Sequence, residues 1–398
     1  MFISKVNQQY SLNFNLKQPI KSNPTNNIGN NSSADKSKTT QLPIGFNTSY
    51  NITFGAWTNP NRLVGDVDIK SYQIMTDRAK ERYRKLYRGF ATNEDVEQSK
   101  LFDNKSKFLP LQSDESMEKF LKISKKYLKY KDQPIICLGR SPKWFLNAAF
   151  WMKDGIPEYK FVAFSKYWFY PSPRGMQRLP NEAPTEKEEK AYRKYLDRVG
   201  ANPKEIVDTM KKTGKKTVIT DYICTGKGAC SFLDVMARYA DDLGVLEDFT
   251  KSIQIVGIGS MDYMEELYPY SEDEISEPRV PMPPILEKYG DNITQEFYNM
   301  DYTVFQEMLL NQNTNECRST FYPHNAWTIY RPDKFKTGLI KDLKKVEAIK
   351  AQYGSDFGVK LITSFTPAMR DYRNLLNFRI LDGLDARGLL KAVHNTKI

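Results

Sequence analysis

The chain has 398 residues, a net charge of +11 and a pI near 9.1. A hydrophobic content of 40% is typical of a globular protein and excludes a largely disordered one. No stretch reaches the roughly 18 consecutive apolar residues of a membrane-spanning helix, so we expect no membrane association. The excess of positive charge favours an anionic partner, either a phosphorylated small molecule or, as a less favoured alternative, nucleic acid.

The four cysteines contain no CxxC pair, and the two histidines lie far apart in the sequence. This pattern argues against a structural zinc site and against a disulfide framework, and it fits a reducing compartment. The start of the chain also lacks the charged segment and apolar block of a secretory signal. We therefore predict a cytoplasmic protein, and leave open export through an unconventional N-terminal signal. The residues concerned are Cys137, Cys224, Cys230, Cys317, His324 and His394.

Composition and periodicity divide the chain into five regions. Residues 1–45 are rich in Asn, Gln, Ser, Thr and Lys, and such a segment buries too little apolar area to offset its chain entropy. We predict a disordered polar tail there. The other regions are a mainly helical one at 46–130, an α/β core at 131–265, an acidic, Pro-rich linker or rim loop at 266–292, and a mainly helical C-terminal one at 293–398.

Two helices are predicted before the core. Apolar residues recur at helical spacing from Asp68 to about Phe90, and the intervening face is basic. That face is either a solvated surface or an anion-binding or nucleic-acid-binding helix. Further on, Ser113 has the character of a helix N-cap with acidic residues behind it, which predicts a helix ending near Lys131.

The core begins with alternating strands and helices. Ile135 to Leu138 form a predicted strand, followed by a small loop and a helix through Trp151. A second strand is predicted from Lys160 to Ser165, followed by the loop sequence PSPRGMQR and by helices at Thr185 to Val199 and Pro203 to Lys211. This alternation is typical of a parallel sheet.

The most informative stretch is KKTVITDYICTGKGACSFL, from Lys215 to Leu233. Its β-branched residues predict a strand at Thr217 to Thr220, with Asp221 at the carboxyl end, where open α/β sheets bind ligands. A loop of small residues follows, and apolar residues at helical spacing then predict a helix that stops at Gly244. Backbone N–H groups at such a helix start can bind a phosphate.

Two well-known phosphate motifs are excluded for this stretch. A Walker loop needs a Gly five residues before its Lys and a Ser or Thr after it, but those places hold Tyr222 and Gly228. The dinucleotide motif G-x-G-x-x-G is absent as well, because no Gly follows Gly228 at the third place.

Beyond this stretch, a strand is predicted from Ile253 to Ile258, followed by an acidic, Pro-rich segment from Tyr268 to Pro284. Three further segments have a helical pattern, and they contain no recognisable motif. They are Ile293 to Leu310, Thr337 to Gln352 and Pro367 to Val393.

The stretch around Asp221 resembles the signature of type I phosphoribosyltransferases, in which an apolar strand, two acidic residues and two apolar residues precede a Thr-Thr-Gly-like turn. The sequence departs from this signature where Thr220 replaces the first acid and where the bulky Tyr222 follows. The order of strands, loops and helices from Ile135 to Ile258 also resembles that of the family. The resemblance implies a phosphoribosyltransferase-like parallel-sheet core at 131–265 with helical N- and C-terminal additions.

The resemblance also implies roles for individual residues, with Asp221 holding the ribose hydroxyls of phosphoribosyl pyrophosphate. The basic loop after the first strand would bind pyrophosphate, and the loop after Lys160 to Ser165 would be a mobile lid. The resemblance assigns catalytic roles to Asp221, Lys166 and Arg174, and makes Arg178 a further cation of the lid. The residues that would bind the ribose and its phosphate are Thr220, Asp221, Cys224, Thr225, Gly226, Lys227 and Gly228. Those that would bind pyrophosphate are Gly139, Arg140, Ser141 and Lys143.

The implied ligand is a phosphorylated ribose or a nucleotide, and the implied cofactor is Mg²⁺, held largely by phosphate oxygens. The implied activity is transfer of the phosphoribosyl group to a nitrogen acceptor. Two alternatives stay open, a non-catalytic nucleotide-binding regulator on the same fold and a basic interaction or effector protein.

Overall fold

A computed structural model describes residues 67–89, 110–139, 141–164, 169–172, 175–178, 183–267, 277–310 and 367–392. All of them belong to the larger of two units of the chain, Ala56–Ile398. The predicted polar tail and the helix predicted at Thr337 to Gln352 lie outside the described residues.

Five parallel strands form the central sheet, in the order β2-β1-β5-β6-β7, and two further strands form an antiparallel hairpin, β3-β4. The inner strands are almost entirely buried and apolar, as expected for a sheet that is covered on both faces. The strands are β1 (Ile135–Leu138), β2 (Lys160–Val162), β3 (Phe169–Ser172), β4 (Gly175–Arg178), β5 (Thr217–Tyr222), β6 (Ile253–Gly259) and β7 (Thr294–Asn299).

The helices that accompany the sheet are mostly amphipathic, with buried apolar residues on one side. They are α1 (Ile69–Gln73), α2 (Asp77–Gly89), α3 (Asp114–Lys126), α4 (Lys143–Trp151), α5 (Glu186–Val199), α6 (Pro203–Thr213), α7 (Lys227–Asp242), α8 (Leu246–Lys251), α9 (Met261–Leu267), α10 (Tyr302–Phe305) and α11 (Pro367–Ala386), with 3₁₀ segments at Tyr127–Tyr130 and Pro284–Asn292 and a π-helical turn at Gln306–Leu310.

The strand order reverses direction between β1 and β5. The chain passes from β1 through α4 to β2 at the edge, and then returns through α5 and α6 to β5 on the other side of β1. Because parallel crossovers are right-handed, α4 and the α5–α6 pair lie on opposite faces of the sheet. In doubly wound sheets the crevice at the carboxyl ends of the strands, where the order reverses, is the usual place for a ligand.

Two segments distant in sequence meet in the layer that contains α4. Tyr72 of α1 donates hydrogen bonds to Asp382 and Asp385 of α11, at 3.0 and 2.9 Å. Arg84 of α2 forms two hydrogen bonds of 2.9 and 2.7 Å to the Asp382 carboxylate, and Lys80 lies 4.0 Å from the centre of the Tyr72 ring. This group fastens α1 and α2 to the C-terminal helix.

Most predicted elements of the core occur in the structure. The first strand has the predicted bounds, and Thr185 caps α5 through a reciprocal hydrogen-bond pair with Glu188. The strand that was expected to end at Thr220 continues to Tyr222, so Asp221 lies inside β5.

Two predictions about helices are wrong. The single helix expected from Asp68 to about Phe90 is interrupted at residues 74–76, so α1 and α2 are separate. The helix expected from Ile293 to Leu310 is instead β7 followed by α10, because Thr294–Asn299 pairs in parallel with β6. Thr, Phe and Tyr residues fit a strand, and the pairing with β6 outweighs a weak helical spacing.

Close packing at β6 positions the loop that follows β5. A Cβ atom placed on Gly257 would lie 2.5 Å from Cδ1 of Ile223, and one placed on Gly259 would lie 2.7 Å from the carbonyl oxygen of Ile223. Ile223 also donates its N–H to the Ile258 carbonyl at 2.9 Å. The two glycines therefore allow the chain after β5 to lie directly against β6.

We predict that Gly257→Ala lowers the free energy of unfolding by about 1–3 kcal/mol, because the added methyl overpacks this contact. Ile223→Val, which removes the clashing Cδ1 atom, recovers part of that loss in the double variant. Urea unfolding of the four proteins measures both effects. A double variant as unstable as the sum of the single variants would contradict the assigned contact.

Candidate functional site

The carboxyl ends of β1 and β5 are neighbours, which brings two predicted loops together. Cys137 of β1 lies opposite Thr220 of β5 in the parallel register, so Gly139 and Asp221 both lie at this edge of the sheet. Gly139 follows β1 directly and α4 begins at Lys143, while α7 begins at Lys227. The crevice where the strand order reverses is therefore bounded by the starts of two helices.

The loop from Cys224 to Gly228 turns the chain from β5 into α7. Gly226 is the N-cap, has a φ of +67° and offers no side chain to cap the helix. Cys230 donates the first intrahelical hydrogen bond, to the Gly226 carbonyl at 2.9 Å, so the N–H groups of Lys227, Gly228 and Ala229 have no intrahelical acceptor. Together with the positive end of the helix dipole, these groups form an environment that favours an anion.

Asp221 lies beside this helix start. A Cβ atom on Gly228 would lie 3.5 Å from its Oδ2 atom, and the other oxygen, Oδ1, accepts the N–H of Tyr222 at 2.8 Å. Although part of the residue is exposed, surrounding protein raises the pKa of the Asp221 carboxyl to about 8, and the hydrogen bond from Tyr222 opposes that rise. At neutral pH the carboxyl is largely protonated and can donate a hydrogen bond.

Lys143, the first residue of α4, is 1% exposed. Its Nζ atom lies 4.8 Å from the centre of the Trp144 ring, an arrangement that favours a cation. Burial raises the pKa of the nearby Cys137 thiol well above its ordinary value; the Asp221 carboxyl adds to this rise and Lys143 opposes it. Asp221 and Lys143 thus both act on the same buried thiol, and a buried lysine lies close to the crevice.

Thr220 occupies a different environment from Asp221, because successive side chains of a strand point to opposite faces of the sheet. It is fully buried, and its Oγ1 atom lies 2.7 Å from the Tyr127 hydroxyl. The Tyr127 ring in turn packs edge-on against Tyr298 at 5.9 Å between ring centres. The Thr220 hydroxyl is therefore part of the core beneath the loop, held by a tyrosine.

The other predicted site residues are only partly described. Cys224 and Lys227 are half-buried, Thr225 is exposed, and the Cys224 Sγ atom lies 3.2 Å from the Met264 sulfur. Gly139 and Ser141 are half-buried at the β1 edge. Arg178 belongs to the hairpin strand β4. The predicted catalytic residues Lys166 and Arg174 and the predicted pyrophosphate ligand Arg140 lie outside the described residues.

One neighbour of the loop was not predicted as part of the site. The segment 277–283 passes across the loop, and its Val280 donates one hydrogen bond to the side chain of Gln295 on β7 and accepts another from it. The Pro-rich composition indicated a rim loop, but no local pattern could show which loop it covers, since that depends on the position of β7 in the sheet.

The described residues also bear on metal binding and on membrane crossing. No three His, Cys, Asp or Glu residues among them lie close enough together to hold a metal ion. In the same part of the chain, every helix is too short or too polar to cross a bilayer. Cys137, Cys224 and Cys230 are free thiols.

Comparison with known proteins yields no relative. No protein-family model matches the chain, and neither a curated protein nor a solved structure matches it. The geometry and chemistry of the site are therefore the basis for inferring the function of the chain.

We predict that Thr220→Val lowers the free energy of unfolding by about 1–3 kcal/mol, because it leaves the buried Tyr127 hydroxyl without its partner. Tyr127→Phe should cost a similar amount. In the double variant both polar groups are gone, and the loss should be much smaller than the sum of the two single losses. Denaturant titration of the four proteins tests this, and additive losses would show that the two hydroxyls are not coupled.

A second prediction concerns the pH dependence of stability at Asp221. The pKa of its carboxyl is about 8 in the folded protein against an ordinary 3.8, so folding takes up a proton between these pH values. Stability is therefore lost as the pH rises from about 4 to about 8, at a rate of at most about 1.4 kcal/mol per pH unit. Asp221→Asn removes this loss, because the amide stays neutral and can still accept the Tyr222 N–H.

Thermal unfolding of both proteins between pH 4 and pH 9 measures this effect. The variant should match the wild type near pH 4 and exceed it increasingly up to about pH 8. Parallel curves over the whole range would show that the carboxyl has an ordinary pKa.

Proposed function

We propose that the chain binds a phosphorylated ribose, such as phosphoribosyl pyrophosphate, or a related nucleotide in the crevice between the carboxyl ends of β1 and β5, on a phosphoribosyltransferase-like core. The observation that carries this proposal is the convergence of two helix starts at the point where the strand order reverses. One helix start has three N–H groups without intrahelical acceptors, and the other begins with a buried lysine.

The phosphate group of such a ligand has a natural place at the start of α7. The N–H groups of Lys227, Gly228 and Ala229 supply hydrogen bonds there, and the absence of a side chain on Gly228 allows close approach. The Lys227 ammonium adds a positive charge; among the described residues it forms no ion pair with a carboxylate. These groups favour a phosphate or another anion without specifying the rest of the ligand.

The remainder of the ligand meets Asp221 and Lys143. A neutral Asp221 carboxyl donates a hydrogen bond to a ribose hydroxyl and can accept another, and it does not repel the neighbouring phosphate as an ionised carboxylate would. A second anionic group near the start of α4 would lie close to the buried Lys143, whose Nζ atom is covered by protein, so the lysine would act on it through proximity rather than direct contact. The diphosphate group of phosphoribosyl pyrophosphate is such a second anionic group.

Mg²⁺, the cofactor that the resemblance implies, does not fit a resident site built from the described residues. These residues provide no cluster of three metal-ligating side chains, and the Asp221 carboxyl is largely protonated at neutral pH. Magnesium prefers several oxygen ligands and is commonly bound through substrate phosphates and water. No step assigned here to the chain depends on it.

Phosphoribosyl transfer is the reaction that this binding mode would serve. The bond between ribose C1 and the diphosphate oxygen breaks, a bond from C1 to the acceptor nitrogen forms, diphosphate leaves, and the nitrogen loses a proton to solvent. The protein contributes mainly positioning and exclusion of water.

A non-catalytic regulator that binds the same ligand is the second candidate, and the environment of Thr220 favours it. Its hydroxyl is engaged by Tyr127 in the core, and the position where the resemblance would place the first acid thus offers no carboxylate. Catalysis would depend on Asp221 alone for contact with the ribose hydroxyls.

We predict that phosphoribosyl pyrophosphate raises the melting temperature of the wild-type chain. At a concentration about a hundredfold above its Kd, a ligand stabilises the folded state by about 2.7 kcal/mol. Lys227→Met should weaken binding about tenfold, equivalent to about 1.4 kcal/mol. Lys211→Met is the matched control, since Lys211 forms its ion pair with Asp248 on α8 and lies near the amino ends of the strands.

The outcomes separate the candidate functions. Release of diphosphate in the presence of nitrogenous acceptors identifies a transferase, and binding without release identifies a regulator. No thermal shift with phosphoribosyl pyrophosphate, ribose 5-phosphate or nucleotides, with and without Mg²⁺, would overturn the proposal and leave the basic interaction or effector protein as the remaining reading.

A further inference from the structure

The segment 277–283, here called the strap, lies directly on the loop that precedes α7. A Cβ atom on Gly226 would lie 2.6 Å from the Arg279 carbonyl oxygen, 2.9 Å from Cα of Val280 and 2.7 Å from Cδ of Pro281. Two of these three atoms are main-chain atoms, so the strap could not yield to a side chain at Gly226 by changing a rotamer. The main chain of the strap therefore packs directly against the main chain of the loop at Gly226.

The strap is held in place from β7. Val280 donates its N–H to Oε1 of Gln295 at 2.8 Å, and Nε2 of Gln295 donates to the Val280 carbonyl at 3.0 Å. One amide side chain thus satisfies both backbone polar groups of a residue that is 2% exposed. The Gln295 side chain thus makes the two hydrogen bonds that the backbone of a neighbouring strand would otherwise make.

The proline content of the strap limits its freedom. Pro278, Pro281 and Pro283 each fix a φ angle and lack an N–H group, so the strap has few conformations to lose and few donors to satisfy. The two hydrogen bonds of Gln295 therefore act on a segment that already has little conformational freedom. Gln295 itself is half-buried and does not lie next to the loop in sequence.

We propose that the strap is a fixed wall of the ligand site and that Gln295 is the positioning residue that holds it there. This inference rests on the proposed function. Because the strap is fastened to β7, it closes the side of the loop toward β6 and β7, and the body of the ligand lies toward β1 and Lys143. The strap acts on the phosphate end of the ligand, which every phosphorylated ribose shares.

The test compares wild type with Gln295→Met, which keeps the length of the side chain but removes both hydrogen bonds. We expect affinity for ribose 5-phosphate and for phosphoribosyl pyrophosphate, measured by isothermal titration calorimetry well below the melting temperature, to fall by the same factor of about ten. Lys143→Met, at the other end of the crevice, should weaken only the ligand that has the diphosphate. An equal loss of affinity for both ligands distinguishes the effect of the strap from that of Lys143.

A matched control comes from Gln254 on β6, whose side chain donates to Gln133 away from the strap. Gln254→Met makes the same chemical change and should leave both affinities unaltered. A second variant, Pro281→Gly, loosens the strap without removing a hydrogen bond and should also weaken both ligands.

Trypsin provides a readout of the strap itself, because Arg279 is exposed while the peptide bond after it is held by Gln295. Cleavage after Arg279 should be slow in wild type and in Gln254→Met, and faster in Gln295→Met. Wild-type binding that Gln295→Met and Pro281→Gly retain in full would overturn the strap proposal alone. Wild type that binds neither ligand would overturn both proposals.

Discussion

The parallel pairing of β1 with β5 is the constraint on which the candidate site depends. These strands are separated in sequence by α4, β2, the β3–β4 hairpin, α5 and α6, yet they are neighbours in the sheet. The carboxyl ends of parallel strands lie at the same edge of the sheet, so the loops that follow β1 and β5 meet there. This holds for any structure of the chain between the two strands. A buried lysine and a helix start thus come together through the topology of the backbone.

Because side chains alternate along β5, the adjacent residues Thr220 and Asp221 lie in different environments. Thr220 points into the core and pairs with Tyr127, whereas Asp221 lies beside the start of α7, where protein surrounds its carboxyl. A buried hydroxyl with a partner contributes to stability, and a carboxyl kept neutral by its surroundings reduces it. Groups with strongly altered pKa values cluster at binding and catalytic sites, and Asp221 lies at the sheet edge where a ligand is proposed to bind.

Much of the fold could be predicted from sequence where the signals are local. The β-branched run before Asp221, the helix at Thr185 to Val199 and the apolar strand Ile135–Leu138 each follow from neighbouring residues, and the structure confirms these elements. The strand Thr294–Asn299 was predicted as helix, because its identity depends on pairing with β6. Likewise, Thr220 gave no sign that Tyr127 would hold its hydroxyl, and Gly226 none that the strap would cover it. Contacts between residues distant in sequence determine these features.

The contact between α2 and α11 has a consequence for how the chain is made. Arg84 and Asp382 are separated by 298 positions, and Tyr72 and Asp382 by 310. During synthesis, which proceeds from the N-terminus, α1 and α2 leave the ribosome long before their partner helix exists. Their apolar faces therefore remain exposed, or are bound by other factors, until the residues of α11 have been translated. The layer that contains them is therefore completed last, and the α/β sheet can assemble before it.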